Sequence, residues 1–275
     1  MAQTCYRHPG RETNVSCSNC GRPICPDCMT VTPVGMRCPE CSRERTRVTS
    51  GVGAAGGSEY PVTVALIVAC VAGYVGIVAT GGQMGGSSGS TLIREGGLFG
   101  PAVSNGEPYR IVTSAFLHAG IIHLGLNMLV LWILGRLLEP AIGSLRFAGI
   151  FLVAVLSGAF GALLLDPNVI TVGASGGVFG LMSATFLIAR ERGMDQLAQQ
   201  IGLLVVLNLV FTLSISSISV GGHIGGLIGG GLAALVVARL ERGRVANPGP
   251  IEAAAFVGIG AAAVVGALLA AAASS

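Results

Sequence analysis

The chain has 275 residues, 52% of them hydrophobic and 11% charged, with a mean hydropathy of +0.75. Its 16 basic residues are all arginine and face 13 acidic ones, leaving a formal charge of +3. This excludes an average soluble domain and a broad nucleic-acid surface, and points to a membrane protein.

The cysteines are concentrated at one end. Seven of the eight precede residue 42, whereas the long apolar runs all follow residue 60. The first 30 residues hold no apolar core, so a secretory signal peptide is not expected. Residues 1–45 carry paired ligands at two-residue spacing: Cys5 with His8, Cys17 with Cys20, Cys25 with Cys28 and Cys38 with Cys41. Eight such ligands suit two tetrahedral zinc sites, and a segment this short cannot build an adequate core without them. The uniform pairing, the use of a histidine and the expected lack of a leader favour structural zinc over disulfides. The pattern resembles B-box and related treble-clef or cross-brace fingers. A cross-brace would place Cys5, His8, Cys25 and Cys28 on one ion and Cys17, Cys20, Cys38 and Cys41 on the other; sequential pairing is the alternative. Such a closed site suits binding of a cytoplasmic protein partner or regulation rather than chemistry. The scattered Arg7, Arg11, Arg22 and Arg37 give little support to nucleic-acid binding. Residues 46–60, rich in Gly, Ser and Ala, read as a flexible linker to a membrane domain over 61–275.

Seven apolar runs follow, at about 61–80, 111–138, 145–165, 175–190, 199–213, 218–238 and 253–273. Several approach the ~20 residues a helix needs to cross ~30 Å of hydrocarbon. The fold class expected is therefore an all-α polytopic membrane protein, a bundle of seven spans with a small zinc-stabilised N-terminal module. Arginines precede span 1 (Arg43, Arg45, Arg47) and fill the 2–3, 4–5 and 6–7 connections (Arg136 and Arg146; Arg190 and Arg192; Arg239, Arg242 and Arg244). The connections 166–174 and 214–219 have none. The positive-inside rule then predicts a cytoplasmic N-terminus and an extracytoplasmic C-terminus. Spans 2, 4 and 6 would run inward, which brings His123, Asn127, Ser175 and His223 to the outer leaflet. The zinc module would lie on the opposite side. The arginine-only, Ala/Gly-rich usage hints at a bacterial cell membrane.

Polar groups within a bilayer are costly and usually functional. Ser175, in GASGGVFG (173–180), and His223, in GGHIGGLIGG (221–230), each open a Gly-rich span. Gly222, Gly226 and Gly230 form one stripe, and Gly176 and Gly180 another. Small-residue stripes let backbones approach closely, which would bring the Ser175 hydroxyl within reach of His223 as a nucleophile–base pair requires. GASGG also fits the nucleophile elbow of soluble α/β hydrolases, but the strand and soluble framework that motif needs are missing. No orienting carboxylate lies in a span on the outer side; Asp166, in the connection before span 4, is a poor candidate, so the reading is a Ser–His dyad. Phe179, one turn below Ser175, can pack against the imidazole. His123 and Asn127, four residues apart, share a helix face and can both donate hydrogen bonds. Asn208 in span 5 reads as an interhelical hydrogen-bonding residue.

Here the chain resembles the rhomboid intramembrane serine proteases over about residues 61–275. GEPYR (106–110), FLHAGIIHLGLNM (116–128), LLEPAIGSLRF (137–147), GASGGVFG and GGHIGGLIGG carry the resemblance, in that order. It implies that Ser175 attacks a peptide carbonyl while His223 acts as base and then acid. It also implies an oxyanion hole from His123, Asn127 and the Ser175 backbone N–H, with supporting places for Gly173, Phe179 and, at the site mouth, His118. No cofactor for catalysis is expected. Substrates would be transmembrane proteins with easily unwound helices. Tyr109 stands where many members have Trp, and Phe179 where some have Tyr. The seventh span suggests the six-plus-one arrangement. The alternative is a non-catalytic rhomboid-like adaptor that binds membrane clients and a cytoplasmic partner. A transporter has little support, because no ionisable coupling site lies at mid-membrane.

Overall fold

The structure, a computed structural model, describes residues 3–32, 35–43, 59–83, 89–215 and 217–274. The chain divides into two compact units, Met1–Gly56 and Gly57–Ser275. Apart from Glu59 and Tyr60, the expected linker 46–60 lies outside the described residues.

The N-terminal unit has almost no regular structure. Strand β1 (Gln3–Thr4) pairs antiparallel with β2 (Glu12–Thr13), and β3 (Thr30–Thr32) pairs with β4 (Gly35–Arg37). A one-turn 3-10 helix, Pro26–Cys28, and a short helix α1 (Pro39–Arg43) complete it. Its core is Ile24 with six cysteine side chains and little else. That is too little apolar surface to offset the ordering entropy of the segment, so the cysteines have to contribute more than packing.

The second unit is helical. After α2 (Pro61–Ala79) come three short helices, α3 (Thr91–Gly96), α4 (Gly100–Ser104) and α5 (Arg110–Thr113), and a 3-10 turn at Ser114–Phe116. Long helices follow: α6 (Ile121–Ile142), α7 (Ser144–Leu165), α8 (Ser175–Glu191), α9 (Asp195–Ser214), α10 (Val220–Arg242) and α11 (Gly249–Ala273). Among the described residues six helices, α2, α6, α7, α9, α10 and α11, are long and apolar enough to cross a membrane. The protein is thus an integral, multi-pass membrane protein. The expected span 4 is α8, whose 17 residues reach only about 26 Å at ~1.5 Å per residue. It can be short because most of it is buried among its neighbours rather than matched to lipid.

The expected second span, 111–138, needs correction. Residues 110–116 are a separate helical turn, and α6 begins only at Ile121 and continues through Pro140 to Ile142. The break falls at Leu117–Gly120, where the backbone is extended at both Leu117 (φ −96°, ψ 147°) and Gly120 (φ 177°, ψ 169°).

Packing centres on α7, which lies against α8, α10 and α11. Glycine decides how close it comes. A Cβ on Gly226 of α10 would sit 2.1 Å from the Gly176 carbonyl oxygen on α8, and one on Gly230 would sit 2.3 Å from the Gly180 Cα. The expected Gly226/Gly230 stripe therefore meets the Gly176/Gly180 stripe backbone to backbone. The sequence reading missed a second row. A Cβ on Gly221 would sit 2.1 Å from the Gly161 carbonyl oxygen, and one on Gly225 would sit 2.2 Å from that of Ser157, both on α7. Helix α10 is thus glycine-faced on two sides and wedged between two partners.

Candidate functional site

The segment before α8 is tied down on both sides. Leu98 and Thr171 exchange backbone hydrogen bonds of 3.0 and 2.9 Å, Gly100 N–H donates to the Pro167 carbonyl (2.8 Å) and Gly173 N–H donates to that of Ser114 (2.9 Å). The strand-like 98–100 segment is itself held by Arg110. This buried side chain donates to the carbonyls of Arg94 (2.7 Å) and Gly97 (3.0 Å) and to the Glu107 carboxylate (2.6 Å). The Arg110 hydrogen bond, with that of Tyr109, keeps the Glu107 carboxyl below the usual carboxylate range. The Tyr109 hydroxyl also lies 3.2 Å from the Glu95 carbonyl oxygen, so its single proton is shared between the two acceptors. The GEPYR segment therefore orders the loops that set the start of α8.

Gly173 has φ +134°, a conformation that L side chains rarely adopt. The space beside it is occupied as well. A Cβ there would lie 2.9 Å from His123 Nε2 and 3.7 Å from Ser175 Oγ. Gly173 thus marks the point on which the His123 ring and the Ser175 hydroxyl converge. Ser175 is the first residue of α8, where the backbone N–H groups of the first turn have no partner within the helix. The helix dipole adds partial positive charge there.

His123 and Asn127 lie in the first two turns of α6. The Ala119 backbone N–H donates to His123 Nδ1 at 3.4 Å, which makes Nε2 the protonated, donating nitrogen on the Gly173 side. Asn127 Nδ2 gives one N–H to the His123 carbonyl at 2.9 Å and retains a second. His118 lies fully buried behind His123, the two rings edge to face at 5.2 Å, and both its ring nitrogens lack a partner among the described residues. It is interior, not at a site mouth, because the extended Leu117–Gly120 break carries it inward next to buried Leu117.

His223 occupies the first turn of α10, whose N-cap Ser219 accepts from Gly222 N–H at 3.1 Å. Its ring stacks on Phe179, with centroids 4.1 Å apart and planes 20° from parallel. Its Nδ1 lies 2.7 Å from the Thr212 hydroxyl on α9. Ser175 Oγ has no hydrogen-bond partner among the described residues; such pairs are often loose without substrate. The backbone beside Ser175 nonetheless abuts that around His223, through the close approach of Gly176 to Gly222 and Gly226.

Asn208 differs from expectation. Its amide bonds within α9, to the Leu204 carbonyl at 2.8 Å, and the interhelical bond belongs to Thr212, one turn on. Sequence reasoning missed Thr212; the only signal was a hydroxyl at i+4 from Asn208 near the end of an apolar span.

In the N-terminal unit, the ligand atoms of Cys5, His8, Cys25 and Cys28 lie within 4.8 Å of one another, as do those of Cys17, Cys20, Cys38 and Cys41. All seven cysteines there are free of disulfides. His8 Nδ1 is 3.3, 3.4 and 3.9 Å from the Cys25, Cys28 and Cys5 sulfurs, and Cys20 Sγ is 3.8 Å from Cys38 Sγ. A tetrahedral ion with ~2.3 Å metal–sulfur bonds has sulfur–sulfur edges of about 3.8 Å. Either cluster could hold a metal ion, and the grouping is the cross-braced one.

Residues 105–240 match the model of the rhomboid domain. A 146-residue stretch is 31% identical to YdcA of Bacillus subtilis (strain 168) and covers 73% of that protein and 51% of this chain. The chain belongs to the rhomboid family. It is also 37% identical over 154 residues to the rhomboid protease GluP of Bacillus subtilis, covering 54% of this chain but only 30% of GluP. To the inactive RHOMBOID-like protein 8 of Arabidopsis thaliana it is 33% identical over 130 residues, which cover 47% of this chain and 37% of that protein. The chain thus spans well under two thirds of these last two relatives.

Proposed function

We propose that this rhomboid is an intramembrane serine endopeptidase that cleaves transmembrane proteins. Ser175 is the nucleophile and His223 its base. Ser175 Oγ bonds to the scissile carbonyl carbon as its proton passes to His223 Nε2. The oxyanion that forms accepts hydrogen bonds from His123 Nε2–H, Asn127 Nδ2–H and the Ser175 backbone N–H at the positive end of α8. His223 then returns the proton to the leaving amine as the C–N bond breaks. A water, deprotonated by His223, hydrolyses the acyl-enzyme. Gly173 leaves room for the His123 ring, Phe179 seats His223, and His118 supports His123 from behind.

The observation that carries this reading is the convergence of the donating edge of His123 and the Ser175 hydroxyl on side-chain-free Gly173. The test is cleavage of single-span substrates in liposomes by the wild type and by Ser175→Ala. Cleavage by the wild type alone supports the assignment; equal cleavage by both removes Ser175 from the chemistry.

The second reading is a non-catalytic adaptor for membrane clients, favoured by one thing: a relative of similar identity is named inactive. A folded wild type that neither cleaves nor reacts with a fluorophosphonate probe would make it the better account.

For the N-terminal unit the reading is two structural zinc ions and a role in recruiting a cytoplasmic partner or in regulation. The arginine distribution supports a cytoplasmic N-terminus and extracytoplasmic C-terminus in a bacterial cell membrane. On that reading, a chain lacking residues 1–45 retains intrinsic cleavage of a model substrate.

A further inference from the structure

We infer that Thr212 orients His223 and selects its tautomer, so that the site works with a third, uncharged member supplied by α9. This rests on the peptidase reading above. A neutral imidazole can act as base only through its unprotonated nitrogen, so what bonds the other nitrogen decides whether the ring is competent. Among the described residues no carboxylate makes that bond: Glu139, Glu241 and Glu252, which lie within the long helices, bond elsewhere. Thr212 does make it, at 2.7 Å from Nδ1, and is itself buried at 2% exposure.

The direction of the bond follows from counting protons. A threonine hydroxyl has one proton and two lone pairs. Thr212 Oγ1 donates to the Asn208 carbonyl one turn back, at 2.7 Å, a common arrangement for threonine in a helix. With its proton so engaged, the hydroxyl meets Nδ1 with a lone pair, and Nδ1 carries the hydrogen. Nε2, on the other side of the ring, is left bare and basic. Phe179 restricts the ring by stacking on its face, and Thr212 stops its rotation in that plane. Few residues of α9 are buried: Ala198, Ile201 and Thr212. Two of these are apolar and lie in its first two turns, so the Thr212 bond ties the far end of α9 to the catalytic ring.

The test reads tautomer and turnover separately. In the Ser175→Ala chain, uniformly labelled with 15N-histidine and held in nanodiscs, His223 is expected to show a protonated Nδ1 and a bare Nε2. Thr212→Val, which keeps the shape and removes the hydroxyl, is expected to shift His223 toward the Nε2–H form. In the Ser175 chain it should lower kcat by about 10- to 100-fold, less than the full ~10²–10⁴ that a positioned base supplies because the base is misoriented rather than removed, with KM within about threefold. Thr212→Ser, which restores the hydroxyl, should bring both readouts back. A His223 protonated on Nε2 in the unaltered Thr212 chain overturns the inference, as does Thr212→Val with unchanged kcat. Should Thr212→Val fail to fold, the Thr212 chain and Thr212→Ser still decide through the tautomer. A chain that cuts nothing overturns the peptidase reading alone, because the tautomer is measured without cleavage.

Discussion

Phe179 and His223 stack nearly parallel, with ring centroids 4.1 Å apart, although they sit on different helices. Phe179 lies one helical turn beyond Ser175 on α8, so the ring that seats His223 and the hydroxyl it would deprotonate share one rigid element. Aromatic pairs of this kind contribute about 0.5–1.5 kcal/mol beyond area burial, equivalent to about 2- to 13-fold in rate if the stacking acts on the base. Phe179→Leu is expected to lower kcat within that range in liposome assays, and Phe179→Tyr to leave it near wild type. A Leu variant with full kcat would reduce Phe179 to ordinary core packing.

Glu139 on α6 is 1% exposed and accepts four hydrogen bonds: from Val62 N–H (2.9 Å), Thr63 N–H (2.8 Å), the Thr63 hydroxyl (2.7 Å) and the Ser144 hydroxyl (2.7 Å). It therefore caps the start of α2, whose first N–H groups have no partner within the helix. Hydrogen bonds to a charged group are worth about 1.5–3 kcal/mol each. Glu139→Ala strands all four donors and is expected to cost at least about 3 kcal/mol in reversible unfolding from bicelles. Glu139→Gln keeps one acceptor oxygen and should fall between. A change below about 0.5 kcal/mol in the Ala variant would mean that water replaces the carboxylate.

How much of this was legible in the sequence depended on whether a residue advertises its environment. Ser175, His223, His123 and Asn127 stand out because polar side chains at the ends of apolar runs are rare, and their spacing on three runs suggested a single site. The Gly226/Gly230 stripe was legible from its period of four. The Gly221/Gly225 row beside it was not, because a glycine-rich helix offers several stripes and only the fold selects which face meets α7. The α6 start was misplaced because hydropathy carries straight through Leu117–Gly120, whereas the backbone does not. Thr212 was invisible for a similar reason: a threonine in an apolar helix usually bonds its own carbonyls, and its second partner comes from another helix.

The backbone contact between α8 and α10 leaves no space for a methyl group at Gly226, where a Cβ would come within 2.1 Å of the Gly176 carbonyl oxygen. Overpacking of this kind costs about 1–3 kcal/mol or more where backbone has to move. Gly226→Ala is expected to lower the thermal unfolding midpoint and abolish cleavage together, because the helices it forces apart carry Ser175 and His223. Gly258→Ala on α11 is the control. Nothing lies within 4 Å of its Cβ, and replacing a helical glycine gains about 0.5–1 kcal/mol, so its midpoint should hold or rise. Similar behaviour of the two variants would show that α8 and α10 are further apart in the membrane than their glycines allow.

The two cysteine clusters make a sharper claim than metal content alone. Zinc analysis of the full chain should give two ions, but sequential and cross-braced pairings both yield one site with a histidine and three cysteines and one with four cysteines. The pairings differ in which site Cys25 serves. In the observed grouping Cys25 lies 3.3 Å from His8 Nδ1 and belongs to the histidine site; in sequential pairing it would belong to the all-sulfur site. With 113Cd in place of zinc, the three-sulfur, one-nitrogen resonance is distinguishable from the four-sulfur one. Cys25→Ser is expected to move or remove the former and Cys17→Ser the latter. The reverse pattern would establish sequential pairing. Loss of both resonances in either variant would mean that the interleaved sites fold as one unit, as a module whose core is Ile24 and cysteine side chains can be expected to do.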